Sequence, residues 1–190
     1  MAQVIHGGRN PCLGGARNTA ILVCLLTALA ADAVGQAPEQ FLEYQVKAAF
    51  LLNFTKFIDW PPGPGAPDSP IGICILGKDP FGRALDDVVQ GETINGRPLI
   101  VERLSPGRVP QFCQVLFIGA AEKDVPKILS GLGRGILTVG DGDKFVRAGG
   151  MIAFVLEDRH VRFDINQTAA ANAGLKLSSK LLSVARSVEK

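Results

Sequence analysis

Histidine is nearly absent from this 190-residue chain, which holds only His6 and His160. A zinc centre needs three or four nitrogen, sulfur or carboxylate ligands at short spacing, so a histidine-built metal site is excluded. Net charge is nearly absent as well. Twenty Lys and Arg stand against 18 Asp and Glu. Without residues 1–33, which carry Arg9, Arg17 and Asp32, the balance is 18 against 17. A chain so close to neutral has no electrostatic footprint for nucleic acid. It also has no Lys/Arg run to hold it on an anionic membrane. Internal repeats and low-complexity tracts are missing, which excludes a solenoid.

Long apolar runs are lacking too. Residues 20–31 (AILVCLLTALAA) make a run of twelve, too short to cross about 30 Å of hydrocarbon as a helix. Ahead of it residues 1–19 contain Arg9, Arg17 and no acid, and behind it comes the small-x-small pattern Ala31-Asp32-Ala33. Basic start, short apolar centre and small-residue exit are the parts of a secretory signal peptide. Cleavage is expected after Ala33, leaving a single domain over 34–190. An uncleaved anchor or a core helix is the competing reading. No cysteine follows the small residues, which argues against a lipoprotein. A domain of this length buries about 70% of its unfolded surface.

Export alters the meaning of the cysteines. Cys12 and Cys24 leave with the leader, and Cys74 and Cys113 remain. An even pair in an oxidising compartment often forms a disulfide. The alternative is two buried thiols packed as small apolar groups.

What is present divides into short elements. Val46, Phe50, Phe54 and Phe57 recur at helical spacing with polar Gln45, Lys47, Asn53 and Lys56 between them. They predict an amphipathic helix from about Glu39, stopped at Trp60-Pro61-Pro62 because proline disfavours helix at the residue before it. The aromatic stripe is read as core; a partner groove is the alternative. A proline- and glycine-rich loop (63–70) precedes a buried strand at 71–77. A helix over 79–91 follows, with Asp79 as its cap and Pro80 in first position. An Asn-Gly turn opens the strand 94–104, the apolar run 113–120 is another strand, and 122–132 is a helix with Pro126 in its first turn. Residues 136–141 form a strand and 145–150 a turn. This order predicts an α/β fold with a mostly parallel central sheet flanked by helices.

GGMIAFVLEDRHVRFDIN (149–166) extends that sheet as an antiparallel C-terminal hairpin. Residues 151–156 are wholly apolar, EDRH is the tip, and 161–166 alternate strictly. Period two puts Val161, Phe163 and Ile165 on a buried face and Arg162, Asp164 and Asn166 on a wet one. Two helical pieces, 168–174 and 178–190, end the chain, with Gly174 as a left-handed stop and Ser178 as a cap.

No constellation for catalysis emerges. His160 lies among Glu157, Asp158 and Asp164, but at a solvated tip, and four residues of extended chain put about 13 Å between His160 and Asp164. GLGRG (131–135) lacks the Lys and Ser/Thr of a phosphate loop. GDGD (140–143) lacks the spaced ligands of a calcium loop. Gly149-Gly150 is read as a tight turn into a strand, although a ligand could use the room.

Several pieces resemble the YfiR family of small periplasmic proteins: VKAAFLLNFTKFIDWP (46–61), ICILGKDPFG (73–82), CQVLFIG (113–119), ILTVGD (136–141), GGMIAFVLEDRHVRFDIN (149–166) and NAGLKLSSKLLSVA (172–185). The resemblance implies a periplasmic regulator without catalytic activity or cofactor. Such a regulator binds the periplasmic sensor region of an inner-membrane diguanylate cyclase and holds it inactive, lowering cyclic di-GMP and biofilm formation. A peptidoglycan-linked outer-membrane lipoprotein would capture it, and it would be a homodimer. Cys74 and Cys113 match one cysteine pair of the family, and the second pair has no counterpart. By the same resemblance Phe154, Asp164, Ile165 and Asn166 are implied to bind the partner. A periplasmic small-ligand sensor, suggested by the Gly-Gly turn and the polar face of Arg162, Asp164 and Asn166, is the alternative function. An exported enzyme is the third.

Overall fold

Short runs of branched residues bounded by glycine build most of the sheet. The computed structural model describes residues 36–61, 69–105, 109 and 112–190. The expected leader lies outside them, as do most of the loop 63–70 and the connection around Pro106 and Pro110. Residues 40–190 make one compact unit.

Helix α1 (Gln36–Lys56) is followed by β1 (Ile58–Asp59), β2 (Ile71–Leu76), α2 (Arg83–Val89), β3 (Thr93–Ile94) and β4 (Arg97–Leu104). Then come β5 (Cys113–Ile118), α3 (Val125–Ser130), β6 (Leu137–Asp141), α4 (Lys144–Arg147), β7 (Ile152–Glu157) and β8 (His160–Asn166). The chain closes with α5 (Gln167–Asn172), β9 (Lys176–Leu177), α6 (Ser179–Val184) and β10 (Ser187–Glu189). One eight-stranded sheet has the order β10-β8-β7-β6-β5-β2-β4-β3, and β1 pairs separately with β9. Five neighbouring strands, β7 to β4, run parallel, while β3 and β8 are antiparallel to their inner neighbours. The fold is therefore the expected α/β architecture with its antiparallel hairpin.

The inner parallel strands β2, β5 and β6 are buried on both faces, as crossover helices require. Under α1, α2, α5 and α6 lie Ile73, Ile75, Val115, Phe117, Val139, Ile152, Phe154, Phe163 and Ile165, all 2% exposed or less. Phe54 inserts there, with ring centroids 5.8 Å from Phe154 and 5.2 Å from Phe163. The opposite face carries Leu116, Ile118, Ala153, Phe145 and the disulfide Cys74–Cys113, whose Cα atoms are 5.7 Å apart. That bond ties β2 to β5 at the centre of the sheet.

Several local expectations change. The first helix ends at Lys56, short of Trp60, because Ile58 and Asp59 pair with Leu177 and Lys176. Asp79 does not cap α2. Its Oδ1 accepts from the backbone of Phe81 (2.7 Å) and Gly82 (3.3 Å), and Gly82 at φ 52° forms the helix boundary. An Asx turn thus competes with a cap. Residues 144–147 form a helical turn where only a turn region was expected. The segment 178–190 is not one helix. Ser178 does cap α6, accepting from Leu181 N at 3.2 Å, but Ala185 turns extended (ψ 146°) and residues 187–189 pair in parallel with 164–166.

The double glycine has a packing explanation. Gly149 takes φ 99°, which disfavours any other residue. Gly150 lies under the Phe145 ring, where an added Cβ would overlap it. Phe145 fills the space beside Gly150, while Gly149 lines a cleft of about 570 Å³ with Arg134, Thr138 and Asn166.

Candidate functional site

The four implied partner residues share the β7–β8 hairpin but not a free surface. Phe154 is 1% exposed and Ile165 fully buried. Their place follows from alternation: both point to the face covered by α1, where Phe50 lies 6.1 Å from Phe154. Asn166 ends β8 and caps α5, its Oδ1 accepting from Ala169 N at 2.8 Å.

Asp164 corrects the reading of a wet face. Period-two alternation places it opposite the apolar stripe as expected, yet it is only 3% exposed. The C-terminal segment folds over it. Arg186 Nε and Nη2 donate to its two oxygens at 2.8 and 2.5 Å, and Arg186 N donates to Phe163 O at 2.8 Å. The Arg186 guanidinium holds the Asp164 carboxyl below its ordinary range, against the opposing effect of burial, with help from Ser187. A depressed carboxylate contributes stability that is complete above the unfolded pKa of about 3.9 and is lost as pH falls through the folded value. Asp164→Asn is therefore expected to destabilise by about 1.5–3 kcal/mol at pH 7, the range for charge-assisted hydrogen bonds. The gap to wild type should narrow below about pH 4, as read from urea melts at pH 7, 5 and 3. A gap unchanged at pH 3 would show that Asp164 does not act through its charge.

At the carboxyl end of β6 a second polar cluster appears that the sequence reading missed. Lys47, with 5% of its side chain exposed, bonds Asp141 at 2.6 Å and Glu43 at 2.5 Å. Tyr44 donates to the other Asp141 oxygen at 3.0 Å, and Lys47 Nζ lies 4.4 Å from the Tyr44 ring centre. Burial, then the Asp141 charge, pushes the Tyr44 phenol well above its ordinary pKa, so it stays a neutral donor. The cluster lines a cleft of about 430 Å³ with Asp143, Phe154, Leu156 and Arg186. A signal existed. Tyr44, Lys47, Leu51 and Phe54 follow helical spacing on the inner face of α1, and a lone acid ends the apolar run LTVGD. Each cation here has its carboxylates, so the arrangement anchors α1 to the sheet rather than offering a base or nucleophile.

The hairpin tip is as solvated as expected. Asp158 and Arg159 form the two-residue turn, at φ 49° and 63°. His160 is exposed, its Nδ1 lying 2.7 Å from the Asp158 carbonyl. That contact is with a backbone carbonyl rather than with a carboxylate.

One correction concerns α1. Of its predicted core stripe, Phe54 is buried and Phe50 half-buried, whereas Val46 is 46% and Phe57 37% exposed. With Leu42, 59% exposed, they form an apolar strip on the outer side of the helix.

A family model described as YfiR/HmsC-like matches residues 44–186. The chain belongs to the YfiR/HmsC-like family. The match begins inside α1, spans every strand of the sheet but β10, and ends on Arg186. No curated protein matches the chain significantly. YfiR/HmsC-like proteins are periplasmic, non-catalytic regulators in diguanylate cyclase signalling. Among the described residues no helix is long and apolar enough to cross a membrane.

Proposed function

We propose that this YfiR/HmsC-like protein is a periplasmic adaptor that binds the periplasmic sensor region of an inner-membrane diguanylate cyclase and inhibits it. The observation that carries the reading is the family match across residues 44–186. Two structural facts support it. The buried charges are already partnered within the fold, as in Glu43–Lys47–Asp141 and Asp164–Arg186, and large apolar side chains stand exposed on α1. Such surfaces suit protein association better than chemistry.

Within this proposal the leader, residues 1–33, exports the chain and is cleaved, and the mature domain self-associates as a homodimer. An outer-membrane lipoprotein bound to peptidoglycan relieves the inhibition. Phe154, Asp164, Ile165 and Asn166 shape the partner-binding region from within. Phe154 and Ile165 seat the helices above them, Asp164 fixes the C-terminal strand, and Asn166 starts α5. Of the features that suggested a small-ligand sensor, Gly150 is packed by Phe145 and Asp164 is paired with Arg186, while Gly149 and Asn166 line a cleft of about 570 Å³.

Deleting the gene is expected to raise cellular cyclic di-GMP several-fold and to increase biofilm, with both restored by the gene supplied in trans. Mass-spectrometric quantification showing unchanged cyclic di-GMP in the deletion, across growth conditions, would refute the adaptor.

A further inference from the structure

The cleft beside Gly149 lies at the amino-terminal ends of β6 and β7, the opposite end of these strands from Asp141. Glycine opens it. Gly149 turns into β7 at φ 99°, and a Cβ there would meet only Leu129, at 3.8 Å; a Cβ on Gly133 would meet nothing within 4 Å. Its volume of about 570 Å³ falls in the range of small-molecule sites, about 300–1,000 Å³.

The walls are aliphatic. Leu129, Leu132 and Ile136 come from α3 and the segment after it, and Met151 and Ala169 from the sheet and α5. The first three are only half-buried, so the fold itself leaves apolar surface facing the cleft. No aromatic side chain lines it. A planar ring would find no face or edge to stack on there, whereas an aliphatic chain meets its own kind.

The polar groups that converge on this apolar surface have hydrogens to give. Thr138 is 1% exposed; its Oγ1 accepts from Met151 N at 3.1 Å, and its O–H has no acceptor among the described residues. Asn166 uses its Oδ1 on Ala169 N, and its amide N–H group reaches Val146 O only at 3.5 Å. Arg134 is exposed and has no carboxylate partner among the described residues. It lies against Gly174, where a Cβ would come within 3.1 Å of its Nη2. Glu189 and Lys190 at the rim carry one charge of each sign. A buried hydroxyl proton, an underused amide N–H and an unpaired guanidinium call for a group that only accepts, and an ionised carboxylate is that group.

We propose that this cleft binds a small aliphatic carboxylate of the fatty-acid class, with its chain along Leu129, Leu132, Ile136 and Met151 and its carboxylate toward Arg134. The site is separate from any partner surface, so the proposal does not depend on the adaptor reading, and its failure leaves that reading intact.

Titration calorimetry of decanoate, below its micelle concentration, into the protein purified from the periplasm should show one saturable site. Decanol, which keeps the chain and loses the charge, should bind about tenfold more weakly, as should decanoate to Arg134→Gln, the lower end for a hydrogen bond to a charged group. Gly133→Leu should lose binding by filling the cleft, with its melting temperature unchanged because φ there is not left-handed and the added atoms meet open space. Arg162→Gln, an exposed arginine outside the cleft, should bind as wild type does.

No heat from decanoate would overturn the proposal. Decanol binding as tightly as decanoate would remove the carboxylate from it, and 3-phenylpropionate binding more tightly would remove the aliphatic chain. Decanoate binding that survives both Arg134→Gln and Gly133→Leu would place the ligand elsewhere, on exposed apolar side chains such as those of α1, and overturn the site. Arg134→Gln alters an exposed side chain, so it decides the matter even if Gly133→Leu fails to fold.

Discussion

Replacing Asp141 by alanine is expected to cost about 3 kcal/mol of folding stability, from the 3–5 kcal/mol typical of removing one member of a buried ion pair. The lower end applies because Glu43 remains beside Lys47, at 2.5 Å and itself partly exposed. The loss arises from what stays behind. Lys47 keeps a buried ammonium with one carboxylate instead of two, and the half-buried Tyr44 hydroxyl loses its acceptor. Removing the charges together should behave differently. Lys47→Met with Asp141→Leu leaves the partly exposed Glu43 to water and the Tyr44 hydroxyl without its acceptor, yet should lose only about 1–2 kcal/mol, less than the single variant, since a buried pair replaced as a unit leaves no orphaned ammonium. Urea unfolding of the three proteins decides the matter. A double variant as unstable as the single one would show that the cluster stabilises by its charges and not by avoiding an orphaned one.

Loss of the Cys74–Cys113 bond should have a comparable effect. It joins residues 39 apart in sequence and closes a loop whose entropy in the unfolded chain corresponds to about 3–4 kcal/mol. Both cysteines are at most 1% exposed. Their replacement by alanine therefore keeps small side chains in the same interior positions and adds little cavity. The double variant Cys74→Ala, Cys113→Ala should lose about that amount under oxidising conditions. Wild type reduced with dithiothreitol should fall to the same level, and the double variant should not respond to reductant. A wild-type protein indifferent to reductant under unfolding conditions would refute a stabilising bond. The bond links β2 to β5 where the chain reverses its order of strand addition, so its loss should also raise hydrogen exchange in those central strands.

The candidate site was less legible than the fold, and particular residues show why. Phe154 and Ile165 were readable as sheet residues because alternation and apolar runs report local periodicity. Asp164 sits on the side its alternation predicts, but burial there depends on Arg186, 22 positions later. Lys47 looked like a polar spacer in the helix because its carboxylate, Asp141, lies 94 residues away. Its inward direction is visible in the spacing with Tyr44, Leu51 and Phe54, whereas the apolar spacing that includes Val46 and Phe57 marks residues that face out. The mistake at Asp79 has a different origin. Aspartate followed by proline suits both a helix cap and an Asx turn, and Gly82 at φ 52° decided between them.

Composition, periodicity and turn residues in this YfiR/HmsC-like chain were enough to determine the α/β class, the parallel strands, the Asn-Gly turn and the hairpin. These are local or additive properties, set by side-chain alternation and backbone preference over a few residues. The tertiary structure alone decided that residues 187–189 become a strand, that Asp164 is enclosed by Arg186, that Lys47 is clamped between two acids, and which side of α1 faces water. Each of those depends on groups far apart in sequence, whose interaction has no energy until the sheet has brought them together.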